Sequence, residues 1–129
     1  MKQRTVMHKE GLNVVVKFKK SDFAGQIYKE ANREYLLAGT LVNVKTAGED
    51  IRKKGVYVKS ATAGTKADGI LMHNVEFVYY HDEEIGTVTI EGVAYLDKLI
   101  EVGKEHPTPL TVTEAELPSG VTYVNKDRD

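Results

Sequence analysis

His73 and His81 flank an extended stretch of this 129-residue chain and sit beside Asp82, Glu83 and Glu84. Imidazole nitrogen with carboxylate oxygen is a donor set that holds zinc or a neighbouring divalent ion. Eight residues of extended chain, however, set the two imidazoles about 25 Å apart. The segment therefore reads as a solvated hairpin tip. Glu114 and Glu116, two positions apart, would share one face of a strand, but no acid or base partner is in view, so they read as surface carboxylates. Thr62 to Gly69 contains glycines and a lysine, as phosphate-binding loops do. It lacks the Gly-Lys-Ser/Thr ending and the following helix that such a loop requires. Ser21, Ser60 and Ser119 have no nucleophile-elbow context. The chain has no cysteine, which removes thiolate metal sites, disulfides and cysteine nucleophiles together. The expectation is a binding protein and not an enzyme, with no catalytic residue, cofactor or metal.

The charge is near balance overall, at −1, but unevenly spread. Residues 1–20 hold six Lys or Arg against Glu10 alone, whereas residues 71–120 hold ten acids against Lys98 and Lys104. A basic lead of this kind is a solubilising tail or an arm that docks on an acidic surface. Aromatic residues that could stack bases are not interleaved with those lysines, so nucleic acid is the weaker partner. No apolar run is long enough to span a membrane, and the N-terminus lacks the apolar centre of a signal peptide, so synthesis in the cytoplasm is expected.

The elements that would position these residues are mostly strands. Leu12, Val14, Val16 and Phe18 alternate with Asn13 and Lys17, and Val75, Phe77 and Tyr79 repeat the two-residue spacing. Short extended runs follow at Thr40–Val44, Val56–Val58, Val88–Leu96 and Val121–Val124. Gly92, inside one of them, marks a bulge or a close backbone approach. Between Ser21 and Gly39, Phe23, Ile27, Ala31 and Tyr35 recur every four residues. This predicts a helix capped at its C-terminal end by Gly39, with Gly25 against it. A helical turn is expected after Leu99, and Leu110–Glu116 fits either a strand or a helical turn. Seven tyrosines and no tryptophan leave the adjacent Tyr79 and Tyr80 with one ring on each sheet face, one of them exposed for self-association. Short strands with glycine-containing turns predict a mainly β chain with one or two short helices, a small sandwich or barrel. The expected organisation is a basic arm over 1–20, one β-rich domain over 21–125 and a polar tail over 126–129.

The succession Ala38-Gly39-Thr40-Leu41-Val42, then Ala67-Asp68-Gly69-Ile70-Leu71, then Val88 to Leu99 with Glu91-Gly92-Val93, resembles tailed-phage head decoration proteins. These are the lambda-like decoration family and the base domain of phage head-fibre proteins. The resemblance covers about half of the chain and rests on short hydrophobic motifs. It implies a β-tulip-type domain that forms a homotrimer on the outer capsid surface of a virion, at local threefold sites. The partner would be the major capsid protein of a tailed phage. A ligand that binds only the expanded shell stabilises that shell by mass action. In lambda-like members the N-terminal segment adds a strand to a capsid sheet. Residues 12–18 here are apolar enough to belong to the domain's own sheet, which moves the docking role to residues 1–10. Lys2, Arg4, Val6 and Lys9 are then the expected capsid-binding residues.

Two other readings stay open. One is a small nucleic-acid-binding barrel using Arg52, Lys53, Lys54 and Lys59 beside Tyr57, against which the acidic second half counts. The other is a phage tail or baseplate adaptor of the same structural class.

Overall fold

The computed structural model describes residues 5–78, 81–106 and 112–124. The described residues form the strands β1 (Met7–Glu10), β2 (Asn13–Lys19), β3 (Tyr28–Glu30), β4 (Arg33–Leu36), β5 (Leu41–Val44), β6 (Tyr57–Ser60), β7 (Gly69–Leu71), β8 (Val75–Phe77), β9 (Glu83–Thr89), β10 (Glu91–Tyr95) and β11 (Gly120–Val124), of which β2 and β8 are the alternating segments. Five of them close into a barrel in the order β2-β6-β5-β7-β9. The β2–β6 pair is parallel and the other neighbours are antiparallel. Two three-stranded sheets complete the fold, β1-β10-β11 and β3-β4-β8. The chain is a mainly β, small barrel domain, as its alternation predicts. Among the described residues the helical content is three short 3-10 turns, at Lys20–Phe23, Leu96–Lys98 and Glu114–Glu116.

Side-chain alternation explains how the short strands serve two cores. Val16, Phe18, Val42, Val58, Leu71 and Val88 fill the barrel, joined by Phe23, Leu36, Val75 and Phe77. Leu41 and Ile70 point out of the same barrel into a second core with Val6, Met7, Ala94, Leu99, Leu117 and Val121. Ile70 and Leu71 are adjacent and both fully buried, one in each core. A strand covered on both faces reads as a continuous apolar run instead of an alternating one. Leu36, Leu37 and Ala38 take this further: three successive residues enter the barrel core, a small cluster with Tyr35 and Ile100, and the second core.

The helix expected over residues 21–35 is not formed. After the 3-10 turn, Gly25 adopts a φ of 83°, and the chain then makes the β3–β4 hairpin, with Tyr28 opposite Tyr35. Ala31 and Asn32 form its two-residue turn, with φ values of 51° and 67°. Positive φ at both central positions is the mark of a type I′ turn, whose twist matches that of the flanking strands. The four-residue recurrence arose because Phe23 and Tyr35 are buried for separate reasons, in different clusters. Gly39 has a φ of 101° in the turn leading to β5 and caps no helix. The boundary expected at residue 20 is also absent. β2 pairs with β9 along its whole length, from Asn13↔Thr89 to Lys19↔Glu83, and β1 pairs with β10.

Gly92 performs the close approach expected of it. A Cβ there would lie 2.6 Å from the Lys9 carbonyl oxygen, at a φ of 148°, beside the register shift between Met7 and Lys9. Glu116 is 8% exposed and is neither a strand residue nor a surface carboxylate. Its Oε1 accepts hydrogen bonds from the Thr113 backbone N–H (3.0 Å) and hydroxyl (3.3 Å), and its Oε2 accepts one from the Gly64 N–H (3.1 Å). This capping box therefore also staples the 61–67 loop to the 3-10 turn.

Candidate interaction surface

The N-terminal residues divide by face. Val6 is 2% exposed and packs in the second core, so its side chain is not a docking group; its carbonyl accepts the Tyr95 N–H at 2.9 Å. Lys9 is exposed on β1. β1 is an edge strand, hydrogen-bonded to β10 on one side and to no described strand on the other. Such an edge offers unpaired backbone groups to an added strand. Thr5, Val6, Met7, His8, Glu10, Met72 and His73 line a hollow of about 450 Å³. His8 is held there by its Nδ1 contact to the Tyr95 hydroxyl at 3.2 Å, with the two rings edge to face. Lys2, Arg4, Tyr79 and Tyr80 lie outside the described residues.

The other candidate groups stay apart. His73 is exposed beside β1, whereas His81 pairs with Glu84 at 3.5 Å at the start of β9. No cluster of three metal-ligating side chains occurs among the described residues. Arg52 is engaged with Asp50 through two contacts, of 3.2 and 3.3 Å, and the guanidinium holds the Asp50 carboxyl below its ordinary range. Lys53 and Lys54 are exposed in the same loop. Among the described residues no helix is long and apolar enough to cross a membrane.

A second surface lies on the barrel wall. The outward side of β5 and β7 is covered by the second core, but among the described residues no core covers the outward side of β2 and β9. Val15 (58% exposed) and Ile85 (67%) are its apolar residues. The register sets Val15 opposite Thr87 and Lys17 opposite Ile85, making Val15 and Ile85 diagonal neighbours. Tyr57 on β6 lies beneath the Lys17 ammonium, 5.4 Å from the ring centroid. Hydrogen bonding to Glu83 pushes the Tyr57 phenol above its ordinary range. Because β2 separates β6 from β9, this contact lays the tyrosine across β2. The signals for this surface in the sequence are Val15, the apolar residue out of phase in β2, and Ile85, isolated between Glu84 and Gly86.

No protein-family model matches the chain, and neither the curated proteins nor the solved structures contain a significant match to it.

Proposed function

We propose that this chain is a head-stabilising decoration protein, bound as a trimer to the outside of an expanded icosahedral phage shell at local threefold sites. The observation that carries the reading is the β1 edge. The basic residues of the N-terminus lead into an edge strand that has exposed Lys9 and a hollow alongside it. A strand of a capsid subunit added there would gain backbone hydrogen bonds, while the basic lead meets an acidic shell surface. The motif resemblance over residues 38–99 points the same way. Binding at many equivalent sites would add contacts that resist internal pressure, and selectivity for the expanded shell would stabilise that state by mass action.

The test begins with mass in solution by light scattering, with and without an oligothymidylate. A mass of three chains unaffected by the oligonucleotide is expected. Stoichiometric binding to expanded shells, and none to unexpanded ones, is the decisive second result. A monomer whose mass shifts with the oligonucleotide, in a salt-sensitive way, overturns the reading in favour of a nucleic-acid-binding barrel.

A further inference from the structure

We propose that the outer face of β2 and β9 is a self-complementary contact between two copies of this chain, related by a two-fold axis parallel to the strands. A two-fold interface requires that the same patch supply both halves of each contact. The register provides this. Lys19 stands opposite Glu83 and Lys17 opposite Ile85 on the same outward face. An axis running between the two strands lays β2 of each copy over β9 of the other. Lys19 of one copy then faces Glu83 of the other, twice over. Ile85 of each copy rests on the methylene stem of the other copy's Lys17, and Val15 meets Thr87. The two most exposed large apolar residues described, Val15 and Ile85, become covered in one step.

The same face suits nucleic acid poorly. Lys17 and Lys19 lie on it, with Lys59 on the adjoining β6, but Glu83 stands opposite Lys19 and engages the Tyr57 phenol. Mixed charge favours a partner of mixed charge, which a second copy supplies.

The size of the face sets the strength. Two strands of seven residues each present about 250 Å² per copy, against the roughly 800 Å² per partner of a stable complex. The contact is therefore weak between free molecules and fills where copies are held side by side. Its use in a shell-bound array rests on the reading above; the contact itself does not.

The experiment uses the full chain alone, recording ¹H–¹⁵N spectra from about 50 µM to about 2 mM, a range matched to a near-millimolar dissociation constant. Concentration-dependent shifts confined to β2, β9 and the adjoining Tyr57 are expected, with loss of the shifts in Ile85→Lys. Lys19→Glu and Glu83→Lys should each abolish the shifts alone, and an equimolar mixture of the two variants should restore them. The restoration separates contact between copies from any effect within one chain. The inference is overturned by constant spectra across the range, by shifts mapping to another face, or by a mixture that behaves like its components. It is equally overturned if this face responds only when an oligothymidylate is added.

Discussion

Gly86 on β9 faces the ring of Phe18 on β2 so closely that a Cβ at Gly86 would lie 2.8 Å from Phe18 Cε2. Val75 Cγ2 would be equally close. Phe18 is fully buried, and its ring packs against Phe23 at 5.6 Å between centroids. The absent side chain at Gly86 is thus the space that the aromatic pair occupies. Gly86→Ala should destabilise the fold by about 1–3 kcal/mol, the usual cost of overpacking. Urea unfolding of Gly86→Ala, Phe18→Leu and the double variant tests the coupling. The alanine should cost less in the Phe18→Leu background. Additive losses would show that the two positions do not share that space.

The β3–β4 turn has an alanine where a left-handed conformation is required. Ala31 at a φ of 51° carries the Cβ strain that asparagine and glycine tolerate better. Replacing Ala31-Asn32 with Asn-Gly should stabilise the protein by about 0.5–1 kcal/mol. A thermal midpoint that falls in the double variant would contradict the turn assignment.

Glu116 tests the staple between the 61–67 loop and the 3-10 turn. In Glu116→Ala the Gly64 and Thr113 N–H groups lose their acceptor; both residues are exposed and water can replace it, so the cost is that of the lost hydrogen bonds, about 0.5–1.5 kcal/mol each. Amide exchange at these two positions should accelerate more than at β2. Equal acceleration at both places would indicate global loosening instead.

The Tyr57 phenol titrates above its ordinary value of 10.0, first because of its hydrogen bond with Glu83 and then because of burial. A raised folded value favours the protonated form. Its contribution to stability is complete below the unfolded value and is lost as pH rises through the folded one. Glu83→Gln should therefore lower the Tyr57 midpoint, as followed by its ring resonances in an alkaline titration. An unmoved midpoint would remove Glu83 as the cause.

Val6 and Lys9 separate packing from docking. Val6→Ala should cost about 1–3 kcal/mol in urea unfolding, as a buried large-to-small change does. Lys9→Glu should leave stability within about 0.5 kcal/mol. On the proposed reading, Lys9→Glu nonetheless weakens binding to expanded shells. Shell binding unaffected by Lys9→Glu would take the β1 edge out of the interface.

The sequence by itself determined the mainly β class, because apolar spacing by two in segments such as Asn13–Lys19 buries one face only when the chain is extended. It also marked the close approach at Gly92, since an interior glycine in an otherwise good strand has few other uses. What it left open depends on contacts distant in the chain. Phe23 and Tyr35 imitate a helical stripe, and only their burial in different clusters shows that they share no face. Glu116 reads as a surface carboxylate until Gly64, 52 residues away, donates to it. Val15 and Ile85 are isolated apolar residues in sequence. Closing the barrel in one register makes them neighbours on its outward wall, because antiparallel pairing, not chain proximity, decides which side chains share a face.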